Sequence, residues 1–447
     1  MVAACDDRVV DRRHPAQRRV LGFLVGTQAV GSIGVGTGIT LGALTATTLS
    51  GSVAVGGLGA TAIAVGAAVL AVPVAAFAGR FGRRRALTAA YGVGAVGGVG
   101  CFGATALGSW QLLLLALVAF GGGTAATLAA RYAAADLAHP ERRAGAMSTV
   151  VWATTLGVIA APNLVAPVAA FGAGGPFLVS AAAFLVAGCG VLLGLRPDPL
   201  LAGRVAVVVG DSCCGVGASE LPRRHTRAEV WAAIGPNVRL ALLGVALCNT
   251  AMTGMMSMMP VQMTGGGSTL VVVGIVVSVH VTGMYAASPL FGVLADRIGR
   301  VPVLALGAAL VVAGAGVCGM ASAHDAPQMA IGMIMLGCGW SAGVVAGSAL
   351  LTESVPAGLR PSTQGLADLV LNVGGALGGL LAGLIMSAWS FTVLGLVVGF
   401  AALPLLMACM GTTLRPVAPA PEPPAGDQDV AGTARMSRVS PGRSVAL

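Results

Sequence analysis

The sequence predicts an all-α membrane protein: twelve transmembrane helices arranged as two pseudo-symmetric six-helix bundles. Three observations carry this. The 447-residue chain is 56% hydrophobic and only 9% charged, where an ordinary soluble domain is about 25% charged, and its mean hydropathy is +0.90. So little charge cannot cover the surface of a soluble protein this size, and intrinsic disorder needs the opposite composition. Twelve apolar stretches each reach the roughly 20 residues that a spanning helix requires. Finally, the basic residues fall on one side of that pattern.

The spans are expected at 20–48, 53–78, 86–106, 110–133, 146–170, 175–195, 238–262, 269–294, 302–322, 328–350, 362–387 and 391–413. They lack the period-two alternation of barrel strands. With 68 glycines and 4% aromatics, they are built of small residues that let transmembrane helices approach closely. A basic arm, 1–19, precedes them and has no cleavable apolar core, so the first span is expected to be its own insertion signal. The bundles occupy 20–195 and 238–414. A linker, 196–237, holds Pro197, Pro199, the vicinal pair Cys213-Cys214 and the basic run Arg223-Arg224-His225, with a short surface helix near 228–234. Residues 415–447, rich in Pro and charge, read as a disordered tail.

All 25 basic residues are arginine, the mark of a GC-rich genome. They lie in the arm, the even-to-odd connections, the linker and the tail, whereas the opposite connections hold one charged residue, Asp325. This positive-inside bias predicts a multi-pass protein of the cytoplasmic membrane with both termini in the cytoplasm. Trp110 and Trp389 stand at the predicted outer ends as interfacial anchors. The nine cysteines show no metal-ligand spacing, and no metal site, nucleic-acid partner, cofactor or catalytic group is expected. There is no nucleotide-binding loop either, so the proton gradient is the expected driving force.

The halves repeat with one offset. Arg80-Phe81-Gly82-Arg83 falls on Arg297-Ile298-Gly299-Arg300, Asp136 on Glu353, and Arg143 on Arg360, each 217 residues apart (297 − 80, 353 − 136, 360 − 143). Duplicated halves are how many secondary transporters build alternating access. The segment Gly292-Val293-Leu294-Ala295-Asp296-Arg297-Ile298-Gly299-Arg300 resembles the signature loop of the major facilitator superfamily, and the resemblance extends over about 20–415, closest to the drug-efflux and general-metabolite branches of high-GC bacteria. It implies a 6+6 helical fold around a cavity that opens alternately to each side. On that basis Gly82, Arg83, Asp136, Arg143, Gly292, Asp296, Arg297, Gly299, Arg300, Glu353 and Arg360 are expected to form a cytoplasmic gate. Asp296 would sit at the positive end of a neighbouring helix and Arg300 would pair with Glu353. The first-half loop departs from the pattern, with Gly79 in place of Asp296 and Ala75 in place of Gly292, which predicts a lopsided gate.

Inside the bilayer, ionisable residues default to functional candidates. His280, near the middle of span eight, is one candidate for proton coupling or substrate contact, with a structural hydrogen bond as the alternative. Asp368 is the other: Gln364, Asp368 and Asn372 recur every four residues in span eleven and form one polar stripe. Gln28, Asn163 and Trp152 are further substrate-pathway candidates, as are Asn249, Gln262 and Trp340. Gly157 with Pro162 resembles part of an antiporter hinge motif, with tight packing as the alternative. The arginine that proton antiporters carry in span four is replaced by Leu117, and Arg131 is expected 20 Å away at the inner surface (about 14 residues at 1.5 Å each). The methionines of span seven (Met252, Met255, Met256, Met258, Met259 and Met263) suit a permissive apolar cavity or plain packing. The expected protein is a monomeric transporter that exports small neutral, apolar or weakly cationic amphiphiles by proton antiport. An uptake symporter or facilitator and a non-transporting receptor on the same fold are the alternatives.

Overall fold

A computed structural model describes residues 16–168, 172, 174–203, 227–232 and 234–413. Residues 1–15 of the arm, most of the linker with Cys213-Cys214 and the basic run, and the tail lie outside the described residues. The helices are α1 (Gln17–Ser50), α2 (Val53–Phe81), α3 (Arg83–Ala106), α4 (Trp110–Ala135), α5 (Arg143–Val168), α6 (Gly175–Gly194), a short α7 (Arg227–Ala232), α8 (Pro236–Gly265), α9 (Leu270–Val281), α10 (Ser288–Ile298), α11 (Arg300–Met320), α12 (Ala326–Glu353), α13 (Arg360–Ala388) and α14 (Phe391–Thr413). Twelve spans result, α9 and α10 together forming the eighth, and no strand occurs among the described residues.

Span eight departs from a plain helix. A π-helical turn, Thr282–Ala286, joins α9 to α10, and Pro289 opens the latter. π-turns concentrate at functional sites, and this one carries Tyr285 towards the interface between the halves.

Large apolar side chains point outward, Val96 at 70% and Leu115 at 68% exposed, because lipid is the solvent. Inside, glycine faces backbone. A Cβ on Gly121 would lie 2.6 Å from the Ala67 nitrogen, and one on Gly307 3.0 Å from the Gly339 oxygen, so α4 meets α2, and α11 meets α12, at van der Waals range. The first-half core is centred on Phe120 and Phe184, with ring centroids 5.0 Å apart. In the second half Met255, Met259 and Met263 of α8 are fully buried with Met329 and Met333 of α12. That corrects the cavity expectation for those three: they recur every four residues on the face of α8 turned into its own bundle, where a flexible thioether fills irregular space.

Candidate gate and substrate pathway

The two signature loops turn at Gly82 (φ 89°) and Gly299 (φ 101°), in the region that disfavours residues with a Cβ. Each turn launches a helix whose first residue, Arg83 or Arg300, reaches an acid 53 residues further on. Arg83 Nε donates to Asp136 Oδ2 at 2.8 Å, and Arg300 Nη2 donates to Glu353 Oε1 at 2.7 Å. The sequence offset is therefore real in space. Burial pushes the Asp136 carboxyl above the usual carboxylate range, and the Arg83 guanidinium pulls it back.

Across the halves, Asp296 of α10 accepts from the backbone N–H groups of Ala144 (3.2 Å) and Gly145 (2.8 Å) at the start of α5. It also pairs with Arg300 at 3.2 Å. Arg300 donates in addition to the Pro140 carbonyl at 2.7 Å. A carboxylate here meets both the unsatisfied N–H groups and the positive end of a helix, as the sequence anticipates. Gly292 is needed for the approach, since a Cβ there would strike the Ser148 side chain. Arg297 stands exposed on the same turn. Arg143 and Arg360, which open α5 and α13, lie within electrostatic reach of both Asp136 and Glu353.

The first-half counterpart is lopsided for a legible reason. Gly79 faces Pro361 (a Cβ would lie 3.5 Å from the ring) where Asp296 faces Ala144, and proline has no N–H to offer a carboxylate. The missing glycine at Ala75 is compensated on the opposite helix. Gly365 supplies the clearance, as a Cβ on it would strike Ala75, so each interface keeps one glycine. Gly79→Asp should therefore add only a helix-end charge, about 0.3–1 kcal/mol towards the closed mouth, and should slow transport by less than about tenfold. Initial rates in proteoliposomes check this.

A deeper contact joins the halves. Arg131 of α4 and Asp368 of α13 form an ion pair at 2.6 Å, with side chains 2% and 7% exposed. Arg131 also donates to Ser348 Oγ at 3.1 Å and Tyr132 Oη at 3.2 Å, and lies 4.4 Å over the Tyr132 ring. Gln364, one turn before Asp368, accepts from Arg83 and donates to Thr352 Oγ1 at 3.2 Å. Asn372, one turn after, donates to the Asp368 carbonyl at 2.7 Å. The polar stripe of span eleven thus faces the other half. The expectation for Arg131 is corrected: it is buried at the interface, since α4 ends only four residues beyond it and α13 covers it. Arg131 and Ser348 are themselves 217 residues apart, which places this contact on the pseudo-two-fold axis. A water-sized void adjoins it, lined by Arg83, Tyr132, Gln364 and Asp368.

Among the described residues, every hydrogen bond between the halves lies at this arginine-rich end. The set is closed by Ser288 Oγ, which donates to the Ser148 carbonyl at 3.1 Å. Above the latch an apolar cluster seals the axis: Leu128 and Val151 from the first half, and Met252, Met284, Trp340 and Leu371 from the second. Trp340 Nε1 donates to Asn249 Oδ1 at 2.8 Å, Asn249 donates to the Leu371 carbonyl at 2.7 Å, and Tyr285 stands edge-on to Trp340 at 5.5 Å.

The remaining candidates sit apart. His280 is fully buried within the second bundle, Nδ1 donating to the Met333 carbonyl at 2.7 Å. Gly157 packs against the α1 backbone, its Cβ position 2.8 Å from the Ile33 nitrogen, inside the first bundle and not across the halves. α5 runs helical through Pro162, while the side chains of Pro162 and Asn163 lie outside the described residues. Gln28 donates to Thr154 Oγ1 at 2.9 Å, and Trp152 is half-buried on α5. One site residue escapes sequence reading, Asp198. Its carboxylate accepts from Arg84 N (2.8 Å) and Leu200 N (3.1 Å), fastening the start of the linker to the first signature loop. Its cue was Asp198-Pro199, a helix-capping pair.

Comparisons with known proteins agree with this geometry. The family model of the Major Facilitator Superfamily matches residues 24–273 and 241–442. The chain is 34% identical over 400 residues to the MFS-type transporter YddS of Bacillus subtilis (strain 168), covering 86% of this chain and 89% of that protein. It is 28% identical to the riboflavin transporter RfnT of Brucella anthropi, over 80% and 86% of the two chains. The proton:xylose symporter XylE shares the fold at a TM-score of 0.67 and 14% identity, covering 90% of this chain and 96% of that one. The human organic anion transporter MFSD10 does so at 0.66 and 14%, covering 89% and 100%. A duplicated six-helix unit, two signature loops clamped on acids, and these relatives together identify the chain as a member of the major facilitator superfamily, a twelve-span membrane transporter of small molecules.

Proposed function

We propose that the chain is a proton-coupled exporter of small, uncharged or weakly cationic amphiphiles in the cytoplasmic membrane, with the arginine-rich mouth facing the cytoplasm and Asp368 as the coupling residue. The observation that carries this reading is the buried Arg131–Asp368 pair, a charge contact that joins the two halves at the arginine-rich end. Protonating Asp368 removes the attraction and leaves Arg131 without its counter-charge, which favours opening. Loss of the proton to the cytoplasm restores the carboxylate, and the mouth can reclose around a cytoplasmic substrate. Proton entry and substrate exit thus share one switch, which is antiport.

The positive-inside bias supports the orientation. The lack of described charge at the level of Trp340 and Tyr285 supports an uncharged or weakly charged substrate, and riboflavin, the compound named for the Brucella relative, is the first to try. Proteoliposomes with an internal pH dye give the test. Adding substrate should move protons against the substrate's direction, and substrate flux without proton flux would defeat the coupling.

His280 is assigned a packing role between α9 and α12. His280→Gln, which keeps a donor for the Met333 carbonyl, should leave the pH profile of transport in place. A shifted profile would return the coupling role to the histidine.

A further inference from the structure

One level of the bundle holds buried polar atoms that no protein group satisfies. Counting 1.5 Å per residue from the arginine-rich ends of their helices, Gln28 of α1, Thr124 of α4, Thr155 of α5 and Ser341 of α12 all lie about 16–18 Å in. Gln28 Oε1, Thr124 Oγ1, Thr155 Oγ1 and Ser341 Oγ are each buried without a hydrogen-bond partner. Gln28 is 4% and Ser341 0% exposed. The Gln28 amide is oriented from its other end, where Nε2 donates to Thr154. The other orphaned atoms within the spans are on Gln17, Arg84, Tyr91, Arg143 and His280.

Two of these atoms, on Thr124 and Thr155, share a direction as well as a level. Thr124 is one helical turn from Leu128, and Thr155 one turn from Val151, so each pair lies on one face of its helix. Leu128 and Val151 pack into the cluster of Trp340 and Met284 across the halves. Ser341, one turn from Gly337, lies on the face of α12 that packs on span eight. Trp340 is held by Asn249 and meets Tyr285 edge-on, and Asp, Glu, Arg and His are absent from this layer among the described residues. A buried hydrogen-bonding group without a partner is destabilising, and hydrocarbon offers no water in compensation. Four such atoms at the depth of one aromatic pair supply the parts of a recognition layer: a flat apolar wall on one half and unspent hydrogen-bonding capacity at the same level.

We infer that the transported compound is an uncharged planar aromatic carrying amide, imide or hydroxyl groups. Its ring lies against Trp340 and Tyr285, and its polar edge gives a hydrogen to Gln28 Oε1 and bonds the hydroxyls of Thr124, Thr155 and Ser341. This rests on the transport reading for the location of the pathway between the halves, and it narrows that reading by excluding permanent cations, whose charge would meet no carboxylate in this layer among the described residues. Equilibrium dialysis tests it with the full chain in nanodiscs and four labelled probes. Riboflavin and chloramphenicol are uncharged aromatics with imide or amide and hydroxyl groups, while ethidium and tetraphenylphosphonium are permanent cations.

The two uncharged probes should bind and the cations should not. Gln28→Leu should weaken binding about tenfold, the worth of one hydrogen bond to a site left unpaired. Trp340→Phe should keep most of the affinity that Trp340→Leu loses. Binding of the cations alone, binding of none of the four, or uncharged-probe binding indifferent to Gln28→Leu and Trp340→Leu would overturn the inference. Binding is read without a proton gradient or a direction, so cation export with proton counterflow in proteoliposomes would leave the transport reading standing while this one falls.

Discussion

Asp368→Asn is expected to abolish proton-linked transport while substrate exchange at equal pH continues. Removing one partner of a buried ion pair leaves the other uncompensated, at a cost of about 3–5 kcal/mol. The lower end applies here, because Arg131 keeps its bonds to Ser348 and Tyr132. About 3 kcal/mol is roughly a hundredfold shift in the balance between closed and open mouth. The asparagine keeps an acceptor for the guanidinium but no counter-charge, and it cannot exchange a proton, so pH-driven accumulation should fall to background. Counterflow of preloaded substrate measures what remains. The exchanged pair Arg131→Asp with Asp368→Arg should recover part of the driven transport. Full proton-driven transport by Asp368→Asn would remove the residue from the mechanism.

Asp296→Ala should come second in size. Its carboxylate is the shared partner of the Ala144 and Gly145 N–H groups and of Arg300. A charge at a partly buried helix end contributes up to about 2 kcal/mol, and hydrogen bonds to charged groups about 1.5–3 kcal/mol. Side chains 12–14% exposed keep the loss near 2 kcal/mol, so the driven rate should drop about thirtyfold. Asp296→Asn retains one acceptor and should fall between the variant and the native protein. The lopsided gate makes this asymmetric: a first-half substitution at Gly79 should have a smaller effect, because Pro361 removes one of the two N–H groups whose counterparts Asp296 uses.

The spans and the duplicated loops were legible in the sequence because lipid imposes a length and the repeat fixes a spacing. Arg83–Asp136 and Arg300–Glu353 followed from one offset. The Arg131–Asp368 pair did not. Depth along a helix can be counted from its ends, but the direction a side chain takes around the axis depends on which helix covers it, and that is settled by how the halves dock. The same limit hid the role of Met255, Met259 and Met263, where sequence shows a row and only packing shows which way it faces. The compensation of Ala75 by Gly365 is also tertiary, since either helix of a contacting pair can supply the clearance. The π-turn of span eight carries no composition signal beyond the Ser288-Pro289 pair that follows it.

In this mechanism the charge of Asp368 holds the arginine-rich mouth shut. Spin labels at the exposed positions Arg142 and Arg297, on opposite halves beside that mouth, report it by pulsed electron–electron distance measurement in a cysteine-free background. The native protein should give a short distance at high pH and a longer one at low pH, and Asp368→Asn the longer distance at both. A distance that ignores pH in the native protein, or a short distance in Asp368→Asn, would contradict the claim.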